Sequence, residues 1–228
     1  MIEIIIHATG SKGNAYSIID GDQKILIDPG INFKALQKAT DFKLCDYDFV
    51  LVSHEHKDHC QSIKQLSKLG LNCLMSDGTA NAIDMQDVYT NIKAEVQIKR
   101  KSWNILPFET QHDAKEPLGF LILSPSGKKI LYATDTYYIK YRFTGVNYWM
   151  IEANYSEKLL SQNSELPRDT KSRIRTSHFE IENLKDFFKK QDVSKTEKIF
   201  LIHLSDDNSD QEYFLNSILE VTGKTVII

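Results

Sequence analysis

Four side chains able to bind a metal fall within six consecutive residues, His54-Glu55-His56-Lys57-Asp58-His59. Neutral imidazoles and a carboxylate together suit a divalent transition ion. An apolar run, Phe49-Val50-Leu51-Val52, comes immediately before. Extended backbone sends alternate side chains to one face, so His54 and His56 point at the same spot. Asp58 and His59 fall where an amphipathic stretch (Cys60, Ile63, Leu66, Leu69) begins to coil. One strand-to-helix turn thus offers two pairs of donors, enough to seed two adjacent ions. Two such ions suit hydrolysis, because a shared water loses a proton near neutral pH and the ions stabilise the charge that develops.

Other apolar strands end in the same kind of residue. Ile25-Leu26-Ile27 runs into Asp28, Phe108-Glu109-Thr110-Gln111 into His112-Asp113, Ile130 to Thr134 into Asp135, and Phe200-Leu201-Ile202 into His203. Ligands gather at the carboxyl ends of strands in α/β folds.

The elements that must position these groups follow from patterning. Strands are expected over 2–6, 15–19, 24–27, 49–52, 71–75, 95–98, 102–110, 118–123, 129–133, 148–151, 198–202 and 225–228. Hairpin turns are expected at Asp20-Gly21-Asp22 and around Ser124-Pro125-Ser126-Gly127. Helices are expected over 32–39, after the histidine turn, and over 77–88, 156–161, 179–190 and 210–221. Ser177-His178-Phe179-Glu180 matches a capping box, which sets His178 in a first helical turn, where the positive helix end disfavours imidazolium. Strands arriving in hairpins in two sets, with helices between, predict two facing sheets with helices outside: a four-layer αβ/βα sandwich. Neither repeat nor linker divides the chain, which reads as one domain over 1–228.

Composition is that of a soluble globular protein: 41% hydrophobic, 26% charged, net charge −3. That charge gives no global attraction to nucleic acid or membrane, so such binding needs a local patch. No apolar run approaches a membrane span. The opening MIEIIIHATG reads as a strand and not a signal peptide. Cys45, Cys60 and Cys73 lack metal-site spacing and fit the core of a cytoplasmic protein. Cys60 beside the histidine turn is a minor ligand candidate.

The strings GSKGNAYSI, LIDPG, LVSHEHKDH, TQHDAKEPLGF, LYATDT, MIEANYS, TSHFEIENL and FLIHLSDDNS span nearly the whole chain. In these the sequence resembles metallo-β-lactamase-fold hydrolases, and within them the short bacterial and phage proteins of the YycJ/WalJ type. The resemblance implies that one metal takes His54, His56 and His112, that a second takes Asp58, His59 and His203, and that Asp135 bridges them. Zn²⁺ suits this set best, with Mn²⁺ or Fe open. It also implies that Asp28 orients a ligand histidine, although a carboxylate beside Pro29 also reads as a plain turn residue. Catalysis would rest on Asp58 and His178, the latter where phosphodiesterase members place a proton donor.

The implied activity is phosphodiester hydrolysis by a metal-bridging hydroxide, on DNA or RNA and of the exonuclease kind. The alternative is a cyclic nucleotide or another small substrate such as a thioester or lactone. The loop Gly10-Ser11-Lys12-Gly13-Asn14 could offer amides, Lys12 and Asn14 to a phosphate. The cations Arg168, Lys171, Arg173 and Arg175 read as a phosphate track or a solvated face. Tyr137, Tyr138 and Tyr141 read as base-stacking groups or loop packing. A homodimer is compatible with the chain.

Overall fold

Runs of β-branched and aromatic residues cut by glycine, aspartate and proline turns form the strands that patterning predicts, with few exceptions. A computed structural model describes residues 2–85 and 88–228. The strands are β1 (Ile2–Ala8), β2 (Ala15–Asp20), β3 (Gln23–Ile27), β4 (Phe49–Leu51), β5 (Cys73–Met75), β6 (Thr90–Asn91), β7 (Ile98–Arg100), β8 (Trp103–Glu109), β9 (Leu118–Leu123), β10 (Lys129–Ala133), β11 (Tyr148–Glu152), β12 (Lys198–Ile202) and β13 (Thr225–Ile227). The helices are α1 (Phe33–Ala39), α2 (Lys57–Cys60), α3 (Ile63–Lys68), α4 (Asp77–Ala82), α5 (Glu157–Gln162), α6 (Arg168–Ser177), α7 (Ile181–Phe188) and α8 (Gln211–Thr222).

One sheet runs in the order β1-β2-β3-β4-β5-β6 and the other β13-β12-β11-β10-β9-β8-β7. The first is antiparallel from β1 to β3 and parallel from β3 to β6. In the second, β10 to β13 are parallel and β7 with β8 forms a hairpin. Both sheets are therefore mixed. Within each sheet the parallel strands deliver their carboxyl ends to one edge, which is where the sequence puts that sheet's Asp and His residues.

The chain falls into two compact units. One comprises Met1–Glu109, Ala114–Gly119 and Leu123–Gly127; the other comprises Thr110–Asp113, Phe120–Ile122 and Lys128–Ile228. The first buries Leu26, Leu36, Val50, Val52, Leu66 and Met75 in one apolar cluster, which also takes in Cys60 and Cys73. Cys45 is exposed, contrary to its expected place in the core. The second unit is built on Trp149, which is fully buried and meets Phe143, Phe187 and Phe188 edge-on. Its indole N–H, which burial would otherwise leave unsatisfied, donates to Thr196 Oγ1 at 2.8 Å.

Four expectations need correction. The strand expected over 95–98 begins only at Ile98, and Lys99, Arg100 and Lys101 belong to the β7–β8 hairpin, whose turn sets Lys101 at φ 50°. The helix expected over 77–88 ends at Ala82, and its residues 86 and 87 lie outside the described residues. The helix after the histidine turn breaks into α2 and α3, because Ser62 turns aside to bond Pro29 O through its N–H and Ile31 O through its hydroxyl. Helix α6 was not anticipated, and it displaces the expected capping box. Ser177 closes α6 and His178 is its C-cap, whereas α7 starts only after Glu180, whose carboxylate accepts from Glu182 N and Asn183 N. His178 therefore sits at the negative end of a helix, and the field there favours imidazolium.

Candidate metal centre

In the first unit the histidine turn is held by a fully buried carboxylate. Asp28 accepts from Ser53 N (2.7 Å) and Ser53 Oγ (2.6 Å) through its two oxygens, and from His59 Nδ1 (2.8 Å). Ser53 Oγ, with its proton committed to Asp28, accepts in turn from His54 Nδ1 at 3.0 Å. These partners assign both ring protons to Nδ1 and leave a lone pair on Nε2 of His54 and of His59. His54 Nε2 lies 3.1 Å from His56 Nδ1, and His59 Nε2 lies 3.4 Å from Asp58 Oδ2.

The turn is also stitched to its surroundings by backbone. Asn14 N donates to Asp58 O (2.8 Å), Gly30 N to Asn14 O (2.7 Å) and Ser62 N to Pro29 O (2.9 Å). A β-carbon on Gly30 would overlap the Asp58 carbonyl and come within 2.6 Å of His59 N.

In the second unit Asp135 presents one carboxylate oxygen to each of two histidines: Oδ2 to His112 Nε2 and Oδ1 to His203 Nε2, both at 3.4 Å. His112 Nδ1 donates to Ser177 O at 2.9 Å, so Nε2 keeps its lone pair. Burial, reinforced by His178, pushes the His112 imidazole toward the neutral form and outweighs the pull of Asp135. His203 Nδ1 lies 3.5 Å from Glu152 Oε1 and 3.2 Å from Asn154 Nδ2.

Glu152, fully buried, is the hub that the sequence reading passed over. It accepts from Thr136 N (2.9 Å), Phe179 N (3.1 Å) and His178 Nδ1 (2.6 Å). Burial opposes ionisation of this pair, but mutual attraction wins: Glu152 is held below its ordinary value and His178 above its own. The ring of His178 stacks on His203 with centroids 5.7 Å apart and meets His112 edge-on at 5.3 Å. Asp135, Glu152, His178 and His203 lie close enough to hold an ion together. Three acceptor positions of Glu152 are taken by Thr136 N, Phe179 N and His178 Nδ1, and through them it positions these neighbours. The rule that found Asp135, a polar residue ending a buried strand, also applies to Glu152 at the end of β11.

These donors fit divalent metals. Ligands around a tetrahedral ion at Zn–N distances near 2.0–2.1 Å stand about 3.3 Å apart. The four donor pairs within the units, at 3.1 to 3.4 Å, match that spacing. Three of the strand-end residues have left-handed backbone, Asp28 (φ 48°), Asp135 (φ 46°) and His203 (φ 55°). Each such non-glycine residue costs about 1–3 kcal/mol, a strain that recurs where a side chain must be aimed at a site.

The remaining candidates fare differently. Asn14 is fully buried; its Oδ1 accepts from Gly10 N and Tyr16 OH, while Nδ2 donates to Gly10 O and Asp58 O. It braces the histidine turn, and its Nδ2 also lies 3.2 Å from His59 Nε2. Lys12 is exposed on the same loop. Arg175 forms a fork to Glu157 (2.6 and 2.9 Å) that holds that carboxyl down at about 2, and Arg173 Nε pairs with Asp113 Oδ2 at 2.8 Å. Two of the four cations of the expected phosphate track, Arg173 and Arg175, are thus matched by carboxylates. Cys60 is buried in the apolar cluster, its thiol donates to Glu55 O, and burial pushes the thiol up to about 12.

Residues 23–204 match the family model described as the beta-lactamase superfamily domain. The chain belongs to the beta-lactamase superfamily. Its members include metal-dependent hydrolases, and the His and Asp donors described above suit that chemistry. Among curated relatives the chain is 28% identical to exodeoxyribonuclease YycJ of Bacillus anthracis, covering 94% of this chain and 86% of the relative. It is also 28% identical to exodeoxyribonuclease WalJ of Streptococcus pneumoniae, covering 91% and 83%. The metallo-beta-lactamase fold protein YhfI of Bacillus subtilis superposes with a TM-score of 0.76 at 16% identity, over 100% of this chain and 96% of that one. The superfamily fold expected from the sequence is therefore the observed one. No helix among the described residues is long and apolar enough to cross a membrane.

Within this superfamily member, Asp28→Asn tests the tie behind the histidine turn. An amide must turn its NH₂ toward a donor, either Ser53 or His59, and so loses at least one bond to the turn. Affinity for Zn²⁺ is expected to fall about 10- to 100-fold, as when comparable supporting groups are removed. Competition with a chromophoric chelator measures it, and unchanged affinity would mean that Asp28 serves only its own turn.

Proposed function

We propose that the chain is a two-metal phosphodiesterase acting on nucleic acid, as an exonuclease. In this reading His54, His56 and His112 hold one divalent ion, Asp58, His59 and His203 hold a second, and Asp135 serves both. The imidazole-rich donor set favours Zn²⁺, with Mn²⁺ next. Two such ions would supply Lewis acidity to the phosphoryl oxygens and acidify a water near neutral pH.

The observation that carries the reading is the His178–Glu152 pair set against His203 and His112. Cleaving a phosphodiester expels an alkoxide, which leaves far more readily when it is protonated. His178, held in its protonated form by Glu152, gives that proton to the leaving oxygen. Glu152 also fixes the ring, because its other oxygen is tied to two backbone N–H groups. Asp28 and Ser53 keep His54 and His59 in the tautomer that leaves Nε2 open. The similarity to two proteins named exodeoxyribonucleases supports DNA as the substrate. The free cysteines Cys45, Cys60 and Cys73 fit action in a reducing cytoplasm.

The test is cleavage of 5′- and 3′-labelled single- and double-stranded DNA and RNA, with a cyclic mononucleotide as a further substrate. Stepwise release of nucleotides is expected, abolished by a chelator and restored by Zn²⁺ or Mn²⁺, with two ions per chain by metal analysis. Asp58→Ala should reduce the rate by more than the roughly 10- to 100-fold that a supporting residue costs. Turnover confined to the cyclic nucleotide, or undiminished in Asp58→Ala, would overturn the proposal.

A further inference from the structure

The second unit contains a pocket of about 530 Å³ whose residues have no part in the metal centre or in proton donation. One wall is the segment that follows Asp135, with Tyr137, Tyr138, Lys140 and Arg142; the other is α7 with the residues that flank it, Phe179 and Lys190. Its volume lies in the range of small-ligand sites. Both walls hang from Glu152: Thr136 N bonds one of its oxygens and Phe179 N bonds the same oxygen. The pocket thus begins two residues beyond Asp135 and one beyond His178, within about 8 Å of chain for each wall.

The segment is fixed at its root. Thr136 Oγ1 accepts from Gln111 N and donates to Tyr138 O, and Tyr137 N donates to Gln111 O. Farther along, Gln191 of the pocket bonds Phe143 N and Tyr141 O. Yet the rings that a braced segment should tuck away stay in solvent: Tyr137 is 41% and Tyr138 54% exposed. Lys140, Arg142 and Lys190 are exposed around them. Asp186, the acidic residue of the lining, is paired with Lys189 at 2.7 Å. Open aromatic faces ringed by cations match the two surfaces of a nucleotide, a base that stacks and a phosphate that is anionic.

We propose that this pocket seats one nucleotide of a single-stranded substrate beside the scissile phosphate, its base on Tyr137 or Tyr138 and its flanking phosphates on Lys140, Arg142 and Lys190. This rests on the nuclease reading above and adds to it the strandedness of the substrate. It also supplies the local cationic patch that a chain of net charge −3 requires. A duplex end must fray by a base to fill the pocket, so single strands bind tighter than duplex.

The test uses metal-loaded full-length protein and fluorescein-labelled, phosphorothioate-backbone oligothymidylate and oligouridylate, read by anisotropy across a salt series. Tyr137→Ala/Tyr138→Ala is expected to weaken binding about 10-fold or more, given the worth of base stacking on an aromatic ring. Lys140→Ala/Arg142→Ala/Lys190→Ala is expected to flatten the plot of log affinity against log salt by about 2. The tighter-bound oligomer identifies the source as DNA or RNA. A 5-iodouracil substituted into it should photocrosslink to Tyr137 or Tyr138 in peptide maps. If wild type binds and cleaves but both variants match it, or crosslinks map only outside 136–142 and 179–191, the pocket assignment falls and the nuclease reading stands. If wild type binds neither oligomer yet cleaves duplex, the pocket assignment falls and the nuclease reading stands; if it neither binds these oligomers nor cleaves any polynucleotide, both fall.

Discussion

With His178 as the proposed proton donor, Glu152→Gln is expected to lower kcat by about two to four powers of ten, the range of a general acid's contribution. The reason is hydrogen-bond arithmetic. The carboxylate accepts from Thr136 N and Phe179 N on one oxygen and from His178 Nδ1 on the other. A glutamine keeps its carbonyl for the backbone donors and must aim its NH₂ at the ring. His178 Nδ1 then has to accept, the proton moves to Nε2, and the ring is neutral. A neutral imidazole is a far weaker acid than imidazolium, so the leaving oxygen departs unprotonated. The attraction that now raises the His178 pKa would be gone, so the alkaline limb of the kcat–pH profile moves to lower pH. Metal content should stay at the wild-type level, which separates this loss from loss of the centre. Substrates with an acidic leaving group, such as a p-nitrophenyl diester, should lose much less. An equal loss on both substrate types would show that Glu152 acts by holding the site together and not through His178.

Gly30→Ala is expected to destabilise the fold by about 3 kcal/mol or more and to empty the centre. Overpacking commonly costs about 1–3 kcal/mol where side chains can shift, but here the obstacle is backbone. The added carbon meets the Asp58 carbonyl and His59 N, and that stretch is pinned to Asn14 while Pro29 O is tied to Ser62 N. At about 2–4 °C per kcal/mol for a chain of this size, the melting temperature should drop by about 6–12 °C. Gly21→Ala is the contrast: its β-carbon meets nothing within 4 Å and its cost comes only from φ 61°. If Gly30→Ala keeps wild-type melting temperature and metal content, the turn has slack and its stitching does not position the ligands.

How much of this was legible in the residues depended on distance along the chain. The histidine turn could be read because its four donors lie within six residues and the strand before them has a period of two. Asp28, Asp135 and His203 could be read because each ends a run of buried apolar residues. The boundaries of β12 and of the α8 cap at Asp210 and Gly223 were local as well. Where the reading failed, a partner far along the chain intervened. Ser177 to Glu180 has the letters of a capping box, yet α6 claims Ser177, and Glu180 caps α7 alone. Arg173 and Arg175 look like free cations until Asp113 and Glu157 come to meet them.

The order of letters was enough to nominate the residues proposed to bind metal, and to establish which superfamily fold holds them and where most strands end. Those features follow from periodicity and residue type, which act over a few positions. Folding had to decide the rest: that Asp28 locks the tautomers of His54 and His59, that Glu152 charges His178, and that a braced segment leaves two tyrosines bare. Each of these turns on hydrogen bonds or burial between residues up to tens of positions apart. A buried carboxylate takes whichever donors the fold brings to it, and no local pattern records that choice.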